Sequence, residues 1–129
     1  MLASNGFEER AGQAGLEFQA RFYRAVLGRY PDNTEALAEL GHALTRLERF
    51  EEGLAVDRQL IELVPDNETA HYNLACSLAL CSRPQEALDV LEQAVRLGYE
   101  DLHHLLADDD LRSLRNEPRF RAIAAALGS

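Results

Sequence analysis

The chain has no lysine, and all 13 of its basic residues are arginine. Schiff-base chemistry and a phosphate-loop lysine are therefore excluded. Tryptophan is absent too. Cysteine occurs twice, as Cys76 and Cys81. Five residues of helix would turn them about 140° apart around the axis, which disfavours a mutual disulfide. Reduced thiols in a cytoplasmic setting are the expectation. No stretch approaches the roughly 18 apolar residues of a membrane-spanning helix. The first residues show neither a basic start nor an apolar run, so no signal peptide is expected. Basic charge is scarce, with 22 acids opposing 13 arginines for a net −9. Phosphate neutralisation needs a basic face, so nucleic-acid binding is not expected.

What is present is a repeat. Pro31-Asp32-Asn33 returns as Pro65-Asp66-Asn67, 34 residues later. Ala36 and Ala70 follow at the same offset, and each copy leads into an apolar helical pattern. The register holds by subtraction: Leu40 with Leu74, Leu44 with Leu78, Leu54 with Leu88, Ile61 with Val95, Leu63 with Leu97. A fixed period of this length marks an array of helical hairpins. At 47% apolar residues the chain can bury a core across one domain.

Helical spacing runs through Leu16, Ala20, Tyr23 and Leu27, and the residue before Pro31 should end that helix. Asp32 or Asn33 can cap the next helix, which carries Leu37, Leu40, Leu44 and Leu47 on one face. Glu48-Arg49 is the turn, and Phe50, Leu54, Leu60, Ile61 and Leu63 mark the antiparallel partner. A second pair follows, from about Glu68 to Cys81 and from Pro84 to a stop at Gly98. Stepping back by one period aligns Leu16, Ala20 and Leu27 with Phe50, Leu54 and Ile61. The expected organisation is thus a flexible start at 1–15, a half repeat at 16–33, and repeats at 34–67 and 68–101. Residues 102–129 break the period and are expected to form a helical C-terminal cap, since terminal repeats are atypical.

The sequence resembles the tetratricopeptide repeat family. The family's Leu-Gly pair falls on Leu40-Gly41 and Leu74-Ala75, the small residue of the second helix on Gly53 and Ala87, and the closing proline on Pro31 and Pro65. Leu37 and His71 stand where the family has Trp, Leu44 and Leu78 where it has Tyr, and Asp57 and Leu91 where it has Phe. Asp57 is the departure that bears on packing. The resemblance implies an all-α fold, a TPR-like α-α superhelix whose hairpins bury a continuous core by stacking.

In this family the first helix of each repeat lines a groove that holds protein ligands. The resemblance places Glu35, Ala38, Glu39, His42 and Arg46 there from one helix, and Thr69, Tyr72, Asn73 and Cys76 from the next. An Asn73 amide can donate and accept at once, as an extended backbone requires. Tyr72 would offer rigid contact area with a polar tip, and Arg46 a fork for a carboxylate. Some members grip a C-terminal carboxylate with lysines. With none present, and Ala38 at one of those places, that mode is not expected.

Catalysis and metal binding have little basis in the sequence. No nucleophile elbow, Gly-rich phosphate loop or zincin pattern occurs. His42, His71, His103, His104, Cys76 and Cys81 lack metal-ligand spacing, and His71 falls on the core stripe. Asp108-Asp109-Asp110 lacks the alternation of a calcium loop and reads as helix capping. The leading expectation is an adaptor without cofactor, binding a neutral to basic peptide or partner helix. The alternative is a self-associating module, because Phe18, Phe22 and Val26 of the half repeat need cover.

Overall fold

The computed structural model describes residues 2–129, with side chains from Glu9 onward. The described residues form helices only: α1 (Leu2–Arg29), α2 (Thr34–Arg46), α3 (Phe50–Leu63), α4 (Glu68–Leu80), α5 (Pro84–Arg96), α6 (Leu102–Ala107), a 3₁₀ helix η1 (Asp109–Leu114) and α7 (Pro118–Gly128).

The start and stop signals work as local chemistry dictates. Asn33 and Asn67, rather than the aspartates before them, are the N-caps. Each side-chain oxygen accepts from the backbone N–H three residues on, Ala36 or Ala70, at 2.9 Å. At the other end, α2 and α4 close with the same device. The N–H of Arg49 reaches the carbonyl of Leu44 and that of Glu48 reaches Thr45; Arg83 and Ser82 repeat this on Leu78 and Ala79. This six-to-one, five-to-two pattern needs a left-handed residue after the cap. Glu48 and Ser82 supply it at φ 62° and 60°. After α5 the same two bonds recur with Gly98 at φ 118°.

Each helix packs on its neighbours in sequence: α1 on α2, α2 on α3, α3 on α4, α4 on α5. α4 also receives η1, and α7 closes on α5 and α6. Two apolar clusters result. One joins Ala20 of α1 to Leu37, Leu40 and Leu44 of α2 and to Val56 and Leu60 of α3. The other joins Leu54 of α3 to Leu74 and Leu78, to Leu88 and Leu91, and to Leu105, Leu111, Leu114 and Phe120 of the C-terminal segment. Ile61 touches both clusters, so α3 is the shared wall.

Two expectations need revision. The segment 2–15, expected to fray, is helical and continuous with the rest of α1. The glycines in it cost helix propensity but do not break the hydrogen-bond ladder. Leu63, expected to mark the buried face, is one of the exposed large apolar residues. It is the last residue of α3, past the turns that the flanking helices cover.

Candidate functional site

Two clefts lie side by side between α2 and α4. The first, about 300 Å³, is lined by Glu35, Ala38, Leu60, Val64, Thr69 and Asn73, with Thr34, Asn67 and Ala70. The second, about 330 Å³, is lined by Ala38, His42, Thr45, Arg46, Asn73 and Cys76, and by Gly41, Asp57, Ser77, His104, Asp108 and Asp110. Ala38 and Asn73 belong to both, so the clefts meet there and form one trough. Helical spacing explains the arrangement. Glu35, Ala38, His42 and Arg46 recur every three or four residues and share a face of α2, and Thr69, Asn73 and Cys76 do the same on α4.

Seven of the nine residues singled out from the sequence therefore line the trough: Glu35, Ala38, His42, Arg46, Thr69, Asn73 and Cys76. Glu39 is exposed and lines neither cleft. Tyr72, expected as an open contact, is only 3% exposed. Its ring stacks on Tyr99 with centroids 4.3 Å apart and planes 5° from parallel. Its hydroxyl donates to Asp108 Oδ2 at 2.7 Å. The cause is the C-terminal segment, which folds back onto α4 and covers that side of it. His71, expected in the core, is half-buried, and its Nε2 pairs with the Pro65 carbonyl at 2.7 Å.

The floor of the second cleft is built around Asp57, which stands one 34-residue period before the buried Leu91. A carboxylate fits because α2 carries Gly41 opposite it: a Cβ on Gly41 would lie 2.6 Å from Asp57 Oδ1. The Ser77 hydroxyl donates to the other oxygen. Burial raises the Asp57 pKa to about 6, and the Ser77 bond offsets part of that rise. Gly41 and Ala75, the small residues of the Leu-Gly and Leu-Ala pairs, are both buried, and at Gly41 the neighbouring helix comes too close for a Cβ.

One wall of that cleft comes from the segment after α5. Asp108 caps η1, its Oδ1 accepting from the Asp110 N–H at 3.0 Å. Its Oδ2 accepts from Tyr72 and, at 3.7 Å, from the Cys76 thiol. The donor atoms of Cys76, Asp108 and Asp110 lie within 4.8 Å of one another. Protein donors already engage both oxygens of Asp108, so this carboxylate works as a cap and as a fastener of η1 to α4. Burial first, then Asp108 and Asp110, pushes the Cys76 thiol upward, which keeps it protonated and a poor nucleophile. Asp110 is raised by burial and by the adjoining Asp108 and Asp109, against the pull of His42 and Arg46. Sequence reasoning did not reach Asp57, Ser77, His104, Asp108 and Asp110 as trough residues. Only Asp57 carried a signal, as a polar residue one period before Leu91.

No family model matches the chain. Among curated proteins it is similar to a chloroplastic protein of Arabidopsis thaliana, at 33% identity over 75 residues. The match covers 56% of this chain and 22% of that protein. The chain thus spans about a fifth of the length of the curated relative it matches. Among the described residues no helix is long and apolar enough to cross a membrane.

Proposed function

We propose that the chain is a tetratricopeptide-type module that holds a segment of another protein in the trough between α2 and α4. The superhelical reading draws support from backbone features that recur at the 34-residue period. Asn33 and Asn67 cap alike, and Glu48 and Ser82 both take left-handed φ. The observation that carries the binding reading is the junction of the two clefts at Ala38 and Asn73. An extended backbone laid across that junction would find the exposed Asn73 amide as donor and acceptor.

Charge selects the ligand. Asp57, Asp108 and Asp110 line the second cleft, and burial raises two of them, Asp57 and Asp110. Bringing a cation close would relieve that cost, so a segment carrying arginine or lysine is favoured over an acidic one. His42 and Arg46 oppose this only in part. The module is a holder rather than an enzyme in this reading, and it needs no cofactor. The unpaired thiols of Cys76 and Cys81 fit a reducing, cytoplasmic location.

A random peptide library panned on the immobilised chain should enrich arginine- or lysine-bearing sequences. Asn73→Ala combined with Asp110→Asn should weaken the enriched peptide about tenfold or more, the scale of losing a charge-assisted hydrogen bond. Helicity should not change. A library that yields only binders indifferent to this double substitution would refute the trough as the site.

A further inference from the structure

The outer stripe of α1 is built for a helix that the described residues do not supply. Phe18 is 61% exposed and Phe22 50%, with their rings stacked one helical turn apart. The 34-residue register shows how unusual this is. Phe22 and Val26 stand where α3 has Val56 and Leu60, which are buried against the leucines of α2. Phe18 stands where α3 and α5 carry the exposed glutamates Glu52 and Glu86. A position that elsewhere meets water has become phenylalanine in α1 alone. The other side of α1, from Leu16 through Ala20 to Leu27, is already covered by α2.

We infer that this stripe pairs with the same stripe of a second copy, the two α1 helices running antiparallel about a two-fold axis beside Phe18. Three observations favour a second copy. The stripe is self-complementary: at 100° per residue Ala11 and Gly15 share its face with Phe18, Phe22 and Val26. Its first half is small and its second half large, so an antiparallel pairing sets Phe22 over Gly15 and Val26 over Ala11 of the partner. Gly15 has room, because a Cβ there would meet nothing within 4 Å. Charge agrees as well. The chain carries −9, yet α1 holds four arginines against three glutamates, so α1 brings no net negative charge to the seam. From Ala11 to Val26 the seam is about 22 Å long. That is short for the ~800 Å² per partner of a tight complex, so the dimer is expected to be a weak one with Kd on the order of 1–100 µM.

This inference goes beyond the peptide reading and makes no use of the trough. Sedimentation velocity from about 1 µM to 1 mM should show monomer passing to dimer over that expected range. Phe22→Glu should raise Kd about tenfold or more, since it removes a buried aromatic and adds a charge to the seam. Gly15→Arg should do the same, although it touches nothing within its own chain. Neither variant should melt below the parent at the dilute end. A parent that stays monomeric throughout would overturn the inference and leave the stripe to another protein's helix. So would Phe22→Glu and Gly15→Arg variants that dimerise as the parent does.

Discussion

Replacing Asp57 by Asn should stabilise the fold at neutral pH and cost about 1 kcal/mol at acid pH. Asp57 lies under α2 with only 6% of its surface exposed, and burial lifts its pKa from 3.8 to about 6. Below about pH 4 both the folded and the unfolded chain hold the proton, and burial of the group costs little. Between about pH 4 and 6 the unfolded chain releases the proton while the fold retains it, so stability falls as pH rises. Above about 6 the fold ionises as well, and the whole loss has been incurred. A rise of about two units corresponds to at most about 3 kcal/mol. Asparagine keeps the shape and still accepts from Ser77, but its amide must find an acceptor in the cleft, at a cost of about 1 kcal/mol. The net gain at pH 7.5 is then about 1–2 kcal/mol, or roughly 4–10 °C in Tm for a domain of this size. Thermal unfolding of both proteins at pH 4, 5, 6 and 7.5, followed by circular dichroism, measures it. A difference in Tm that stays constant across those values would refute the account of Asp57 as a desolvated carboxylate.

Three further substitutions probe the geometry. Gly41→Ala should destabilise by about 1–2 kcal/mol despite the better helix propensity of alanine, because its Cβ would meet Oδ1 of an Asp57 carboxylate whose other oxygen Ser77 holds in place. In an Asp57→Ala background the same change should turn neutral or stabilising, and a double-mutant cycle in urea that shows no coupling would sink this. Glu48→Gly and Ser82→Gly relieve left-handed φ of 62° and 60°, so each should raise stability by about 0.5–1 kcal/mol, additively, as read from the urea midpoint.

Much of the helix order was legible because its signals are local. The 34-residue period, Pro84 and Gly98 fix where helices start and stop, and those devices act over a few residues. Seven of the nine expected trough residues lie there because the family resemblance pointed to the first helix of each pair and helical spacing puts Ala38 and His42, or Thr69 and Asn73, on one face. What escaped depends on contacts distant in sequence. Tyr72 looks open when α4 is drawn alone, and it is the return of the chain with Tyr99 and Asp108 that buries it. Asp57 reads as a packing fault until Gly41 is seen opposite it. The helical course of 2–15 ran against its glycines, because propensity is a weak prior beside the continuity of a helix already anchored from Leu16 onward.

The stacked pair of Tyr72 and Tyr99 gives this molecule an optical reporter of its own. Without tryptophan, ultraviolet emission comes from tyrosine alone. A phenol donating to a carboxylate is a dim emitter, so Tyr72 stays dark while Asp108 is seated. Peeling of the far end away from α4 would brighten it before the rest of the molecule melts. An unlabelled sample can thus reveal whether the two ends unravel together or one after the other.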